Sequence, residues 1–562
     1  MATTVGHYLI ERLAQIGARH VFGVPGDFSL LFLEQMAHAP HLAFVGCCNE
    51  LNAAYAADGY ARLAGIGALS TTYGVGELAA LSGVAGAYAE RVPVVCITGA
   101  PPLEAMRSGA LMHHSLADGN FENMHACYKQ FTVAQTRLEP KNAGSEIDRV
   151  LRACWLEKRP VYIQLPSDLV ATEIPDIASP LDLRLPQSHS AGLSQAVSAI
   201  ARRLAAAKRP ALLIDADVDR FALAALVVRL AEAYGLPIAS LAPAKGIVSD
   251  LHPHGIGSYR GAGSAPDVRE AVEHSDCLIA IGSRLTDVST GLFTHDFSAA
   301  FLIDVQPFEV TVGDTTYRRV MSRDLLEKLL FAGPKGASPP VPRPSAPADK
   351  PDRPNQSGKL TQDSFWTRMQ DFIRPGDVVL ADTGTSSFAA SALLLPENTI
   401  FVSQPIWGSI GYALPATLGT CLAEPDRRQL LFIGDGGFQM TAQELSTILR
   451  LDLNPIIFLV NNDGYTIERL ILGAEAAYND IQPWAYRDVP GAFGLAERVR
   501  RHVAATEEEL DAALAAAEKS AGASFIEILL PRMDAPGMLA KFARRAAEFD
   551  FPQLRDKPAE VE

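Results

Sequence analysis

The chain has 562 residues, a formal net charge of -15, 48% hydrophobic residues and 20% charged residues. A negative field of that size repels polyanions, which argues against nucleic acid and anionic membrane surfaces as partners. No apolar run reaches the roughly 18 residues a bilayer span needs, and at roughly 150 residues per domain the length predicts three or four domains.

Seven cysteines are present and none forms a C-x-x-C pair, so zinc or thiol-redox spacing is absent. Reduced thiols in a cytoplasmic protein are expected. The N-terminus, MATTVGHYLIERLAQIG, carries charges in its first amphipathic turns and shows no apolar signal core or small-residue cleavage site.

In chain order, the apolar runs at 21–26, 43–47, 68–73 and 92–100 read as buried strands. Helices are predicted between them over Glu50–Arg62 and Val75–Glu90, with another near 143–158 leading into a strand at 160–166. Strand and helix alternating in this way predict a parallel sheet covered on both faces. After a polar stretch at about 170–190 the pattern restarts, with strands at 210–217, 277–283 and 301–307 and a helix at 221–235. Residues 333–359 are proline-dense and lack apolar periodicity, which predicts a linker. A third unit has strands at 377–383, 429–437, 455–462 and 524–530. The expected fold is therefore α/β, with three consecutive parallel-sheet domains. The boundaries are an N-terminal domain at 1–175, a middle domain at 193–335, a linker at 336–358, a C-terminal domain at 359–545 and a tail at 546–562.

The strongest local signal is Gly434-Asp435-Gly436, followed after 24 residues by Asn461-Asn462. Each piece ends an apolar strand, and the first is expected to lead into a helix at Ala442–Leu451. Neighbouring parallel strands would present Asp435 and Asn462 at one carboxyl edge, where open α/β sheets bind ligands. A carboxylate, a side-chain amide and a backbone carbonyl are hard oxygen donors that suit magnesium. The glycines allow a backbone to approach a phosphate. Either piece alone is a common turn; the pairing, each after an apolar strand, makes a magnesium-diphosphate anchor the better reading. No G-x-x-x-x-G-K-[ST] loop occurs, so an ATPase is not supported.

This spacing resembles the thiamine-diphosphate signature of the pyruvate decarboxylase superfamily. FGVPGDF (22–28), CNELNAAYAADGYAR (48–62), YGVGE (73–77), GAYAE (86–90), MHHSLADGNF (112–121), QPIWGSIGY (404–412) and NNDGYTIE (461–468) look like that family's segments, in its order. Within the superfamily the chain is most similar to the pyruvate, indolepyruvate and branched-chain 2-oxo acid decarboxylases. YNDIQPW (478–484) leans toward the last two.

The resemblance implies non-oxidative decarboxylation of a 2-oxo acid to an aldehyde and CO2, through an enamine on thiamine diphosphate held with Mg2+. It assigns Glu50 to the cofactor's aminopyrimidine, and a mostly buried carboxyl with a raised pKa is expected there. Ile410 matches the fulcrum that bends the cofactor, and Gly408 the carbonyl that holds its amine. Asp27, His113, His114 and Glu468 match the proton carriers. Asp435, Asn462 and the Gly464 carbonyl match the metal ligands. Thr385, Thr466 and the Gly436, Gly437 and Ile467 amides are expected to hold the diphosphate. Many relatives have Ser where this chain has Gly437, so weaker cofactor retention is expected.

Thr383–Phe388, Ile467, Ile471, Phe542 and Ala546 match positions that face the substrate's R group. Relatives place aromatic residues where this chain has Ser387 and Ala546, which implies room for bulky substrates such as phenylpyruvate, indolepyruvate or branched-chain 2-oxo acids. A pyruvate decarboxylase and, less favoured, a carboligase resembling acetolactate synthase are the competing readings. In relatives, groups matching Glu50 and the metal anchor meet across a subunit interface, so a homodimer is the minimum expected and a homotetramer is common. The middle domain shows no dinucleotide fingerprint and is expected to be structural. One consequence is direct: Asp435→Ala should abolish cofactor binding and activity together, because a metal and a diphosphate lose their neutralising carboxylate. Cofactor retained by this variant after exhaustive dialysis, measured by equilibrium binding, would contradict the assignment.

Overall fold

The computed structural model describes residues 2–175, 179–333 and 358–554. All but Gly358 of the expected linker lies outside the described residues. Three sheets form the skeleton. The first has six parallel strands in the spatial order Ala43–Gly46, His20–Gly23, Gly67–Thr72, Val94–Ala100, Val161–Pro166, Ala134–Arg137. The third is also six-stranded and parallel: Ile400–Val402, Val378–Ala381, Gln429–Gly434, Ile456–Asn461, Ala523–Leu529, Val499–Ala504. In chain order both read second, first, third, fourth, sixth, fifth. The central strands are buried along nearly their whole length. This is why they appear in the sequence as continuous apolar runs rather than as alternation.

The middle sheet differs from expectation. Five parallel strands, Gly255–Ser258, Ile238–Ser240, Pro210–Ile214, Cys277–Ile281 and Leu302–Val305, are extended by an antiparallel hairpin, Glu309–Val312 with Thr315–Arg318. Its two-residue turn uses Gly313 at φ +59°, which suits a tight reversal between right-twisted strands. Burial alternates along Glu309–Val312, as expected of a sheet margin with one wet face.

The N-terminal and C-terminal domains share one continuous buried apolar cluster. At its centre the helix Glu50–Ala64 lies against the helix Ala413–Ala423. Contact is through small residues: a Cβ at Gly59 would stand 2.4 Å from the Ala416 carbonyl oxygen, and one at Gly419 would stand 2.0 Å from that of Ala56. Asn49 starts the first helix by accepting from the Asn52 amide at 2.8 Å, a favoured N-cap, and Gly65 in the left-handed region ends it. Buried polar pairs cross the interface: Tyr412 donates to Asp58, Arg62 donates to the Ser403 carbonyl, and Asn52 donates to Glu444.

The middle domain is tied to the N-terminal one by the Arg91–Asp217 ion pair and by Arg220 donating to the Arg91 carbonyl. It is tied to the C-terminal one through Asp250, which pairs with buried Lys245 and accepts from the Leu395 amide. The helix Gly537–Asp550 runs across the expected boundary at 545/546, because Leu539, Ala543 and Ala546 form one buried stripe along it. Among the described residues no helix is long and apolar enough to cross a membrane.

Glu77 gives the fold a measurable pH dependence. It is fully buried at the start of the helix Val75–Ala89, accepting from the Gly74 amide at 2.8 Å and from Tyr162 Oη at 2.5 Å. Burial pushes its carboxyl up to about 7 against those two bonds. The folded protein thus keeps a proton that the unfolded chain releases near pH 4.5. The associated stability is full below that pH and is lost as pH rises through about 7, a loss of about 3 kcal/mol for a shift of this size. In Glu77→Gln the fall in Tm between pH 5 and pH 8 should be shallower than in the wild type. Equal Tm slopes by differential scanning calorimetry would refute this.

Candidate active site

A cavity of about 300 Å³ opens at the carboxyl edge of the third sheet. Its walls come from the segments after four strands. Thr383–Ser386 follow Val378–Ala381, and Gly408 and Ile410 follow Ile400–Val402. Gly434–Gly437 close Gln429–Gly434, and Asn462 with Gly464–Glu468 follow Ile456–Asn461. The first of these strands lies beside the third, and the connection leaving the first runs to the second on one side while that leaving the third runs to the fourth on the other. That is the switch point at which such sheets bind ligands.

Asp435 is buried at the start of the helix Asp435–Thr441. The sequence reading placed this helix at Ala442–Leu451. The structure begins it at Asp435 itself, interrupts it at Ala442–Gln443 and resumes it as Glu444–Arg450. Gly436 and Gly437 therefore belong to its first turn. Asp435 Oδ1 accepts from the Gly436 amide and Oδ2 from the Gly464 amide, both at 2.9 Å. Burial nevertheless pushes its carboxyl up to about 6. The amide needs Gly464 at φ +108°, where a Cβ would also strike the Asn479 carbonyl. Asn462 donates its side-chain nitrogen to Thr466 Oγ1 at 2.8 Å, which leaves its side-chain oxygen as acceptor. The Thr466 hydroxyl in turn donates to the Arg532 carbonyl at 2.8 Å, so its own proton is committed within the protein.

These residues fit a divalent cation and a diphosphate. The donors are hard oxygens, among the described residues no cation pairs with the buried Asp435 carboxylate, and there is free space beside two of the glycines. An ideal Cβ at Gly384 or Gly434 meets nothing within 4 Å. Asp435, Asn462 and Gly464 are thus gathered on this wall with Thr385, Thr466, Ile467, Gly436, Gly437, Gly408, Ile410, Glu468 and Thr383.

One residue that shapes the site escaped the sequence reading. Asp382 is fully buried and accepts from the Gly411 amide and the Ala413 amide, each at 2.9 Å. Burial pushes it up to about 7. It anchors the segment that carries Gly408 and Ile410. It also accounts for Gly437, because a Cβ there would lie 2.2 Å from Asp382 Oδ2. The available signal was a carboxylate directly after the apolar run VVLA, at the strand edge where charge is otherwise expensive.

A second set of groups lies on the N-terminal domain and does not line this cavity. Asp27 opens a short turn after the strand His20–Gly23, and its Oδ2 lies 2.7 Å from His113 Nε2. His114 Nε2 lies 3.6 Å from Asp27 Oδ1. Partial burial raises the Asp27 carboxyl, but the His113 hydrogen bond, the Phe28 amide and the nearby charges of His113 and His114 together outweigh it and hold the group below its ordinary value. His114, at φ +61°, keeps its carbonyl against Gly74, where a Cβ would come within 1.8 Å. Glu50 begins its helix beside Gly76 and is largely but not fully buried, in line with the expected burial. Of the expected substrate-facing residues, Thr383 and Ile467 line the cavity. Ser387 turns its hydroxyl back to the Gly384 carbonyl, Ala546 is buried in its helix stripe, and Ile471 is not on the wall. Phe388 and Phe542 meet each other, with ring centroids 4.9 Å apart, and line a separate cavity.

Comparison with known proteins agrees with this geometry. Residues 3–122 match the thiamine pyrophosphate enzyme N-terminal TPP binding domain, 197–320 the central domain and 382–528 the C-terminal TPP binding domain. The chain is 42% identical over 548 residues to an alpha-keto-acid decarboxylase of Mycobacterium leprae, covering 97% of this chain and 96% of that one. It is 42% identical over 560 residues to an alpha-keto-acid decarboxylase of Mycolicibacterium paratuberculosis, covering 98% of both. Against a pyruvate decarboxylase of Kluyveromyces marxianus it is 39% identical over 562 residues, covering 98% of this chain and 99% of that one. With a diphosphate-sized cavity walled by hard oxygen donors at the switch point, these matches show that the chain belongs to the thiamine-diphosphate-dependent 2-oxo acid decarboxylases, a family of carboxy-lyases.

Proposed function

We propose that this decarboxylase prefers bulky 2-oxo acids, aromatic, indolic or branched, over pyruvate, and that it works as a homodimer or a dimer of dimers. The observation that carries the preference is the apolar room beside the cofactor cavity. A second cavity of about 150 Å³ is lined by Phe388, Met538 and Phe542 among others, and the helices that carry these residues have small side chains at Ser387 and Ala546. Each CH₂ of substrate buried there contributes about 0.8 kcal/mol.

When bound, thiamine diphosphate supplies the carbon that attacks the 2-oxo group and the sink for the electron pair that CO2 leaves behind. The chain supplies the rest. Asp435, Asn462 and the Gly464 carbonyl would hold magnesium, and the Gly436 and Gly437 backbone would lie along the diphosphate. Ile410 gives an apolar support that Asp382 fixes in place through the following amides. Glu50 would hold a proton at the aminopyrimidine nitrogen. His113, already paired with Asp27, is suited to carry the proton that becomes the aldehyde hydrogen, with His114 and Glu468 as further carriers. Carboxylates near the site also favour departure of the substrate's own carboxylate as neutral CO2.

The dimer is supported by the separation of the two halves. The metal anchor lines the cavity, whereas Glu50, Asp27, His113 and His114 lie on another sheet edge of the same chain. A two-fold arrangement would bring one copy's N-terminal edge to the other's cavity. Two variants test this together. Glu50→Gln and Asp435→Ala chains, each inactive alone, should regain about a quarter of wild-type activity when co-assembled one to one, because only mixed dimers contain one complete site. No recovery would place both halves of the site in one chain.

Substrate preference is decided by kcat/KM for aldehyde formation across pyruvate, 3-methyl-2-oxobutanoate, phenylpyruvate and indolepyruvate. Phenylpyruvate or a similarly large acid should lead, and Ser387→Trp should shift the order toward pyruvate by filling the space. A clear pyruvate advantage in the wild type defeats the proposal. An unchanged order in Ser387→Trp shows that Ser387 does not border the substrate.

A further inference from the structure

The second cavity is more than apolar room. Its floor is the Phe388–Phe542 pair, and three cations surround it: Arg260 from the middle domain, and Lys541 and Arg545 one helical turn apart on Gly537–Asp550. Among the described residues, no carboxylate lines it. Arg545 Nη2 donates to the Ala262 carbonyl at 3.3 Å, and the Phe293 and Phe549 rings lie 6.0 Å apart, so the helix is held against the middle domain. Arg260 is half-buried, and among the described residues its guanidinium has neither an ion pair nor a hydrogen bond. Burial draws its pKa down to about 10. Arg260 is withdrawn from water with no acid beside it in the cavity among the described residues, a conflict because a charge removed from water is favourable only when paired. An anion entering the cavity removes that conflict.

The helix Thr385–Ala390 joins this cavity to the cofactor site. Thr385 and Ser386 line the first cavity and Phe388 the second, within one helical turn, about 5.4 Å of rise. We infer that the cavity between the middle domain and the C-terminal helix binds a carboxylate carried on a short apolar body, with Arg260 and Lys541 as its recognising groups. The inference rests on the decarboxylase reading. That carboxylate has two sources: the far end of a 2-oxo dicarboxylic acid whose 2-oxo end lies at the cofactor, or a separate carboxylic acid bound beside the substrate.

The test uses the holoenzyme with two substitutions, Arg260→Gln and Lys541→Glu; Lys541 is exposed, so the second variant keeps the test valid should the first fold poorly. In one arm, kcat/KM is compared for 2-oxohexanedioate and its isostere with an apolar far end, 6-methyl-2-oxoheptanoate. In the other, 3-phenylpropionate is titrated into a subsaturating concentration of that monocarboxylate. If the carboxylate is the substrate's own, both variants lower the ratio of dicarboxylate to monocarboxylate kcat/KM by about tenfold or more and leave the monocarboxylate unaffected. If it is a separate molecule, 3-phenylpropionate changes the wild-type rate saturably and both variants lose that response. Variants that match the wild type in both arms overturn the inference. A wild type that forms no aldehyde from the monocarboxylate, or from any other 2-oxo acid, sinks the decarboxylase reading instead.

Discussion

The close contact between the helices Glu50–Ala64 and Ala413–Ala423 governs the architecture. Each helix follows strands of a different sheet, and their Gly and Ala faces approach so closely that an added Cβ at Gly59 or Gly419 would strike the other backbone. Helices meeting at backbone distance have one register, so the N-terminal and C-terminal sheets are locked as one body around a shared core. Charge reinforces the lock. Asp58 sits under Arg62 and Tyr412, and although burial pulls the other way, Asp58 holds the arginine above its ordinary range. Removing one partner would leave the other charged and dry.

That lock has a functional corollary. It directs the carboxyl edges of the two sheets to different places in a single chain, and on the proposed reading each carries part of the chemistry. The C-terminal edge has the oxygen donors and the glycine-lined space. The N-terminal edge has Glu50 and the Asp27–His113–His114 group. A rigid monomer with a divided site is suited to completion by a second copy, and the rigidity would make the completed geometry reproducible.

Buried carboxylates recur wherever the C-terminal edge must be shaped. Asp382 holds two backbone amides and so sets the Gly408–Gly411 segment; Asp435 holds two more and sets the Gly464 turn. Both are pushed toward neutrality by desolvation, the ordinary response of a carboxyl removed from water. Only at Asp435 do further oxygen donors converge, and this separates a metal-type site from an architectural one. The middle domain has a related asymmetry: its ion pairs to both neighbours are closed, whereas among the described residues no acid lines the cavity whose cations surround Phe388 and Phe542.

Much of this was legible in the sequence because it is local. Buried parallel strands must be apolar along their length, so the runs ending at Gly434 and Asn461 marked their own ends. The polar residues directly after them could only lie at a carboxyl edge. The hairpin at Glu309–Arg318 was missed because its alternation is short and half-wet. The helix start at Asp435 was missed because three residues of Gly-Asp-Gly read as a turn. Which carboxylate shapes and which would bind metal, why position 437 carries no side chain, and which of the expected pocket residues share a wall could not be read from the sequence. These depend on approach distances between segments tens to hundreds of residues apart, such as Asp382 to Gly437, Asp58 to Tyr412 and Arg260 to Lys541. The sequence alone determined the family and the long buried central strands, and it proposed a chemical inventory for the site, since these follow from residue type and short spacing. Only the tertiary structure decided how that inventory is divided between two edges and two cavities, because the packing of Glu50–Ala64 on Ala413–Ala423 sets where each edge faces.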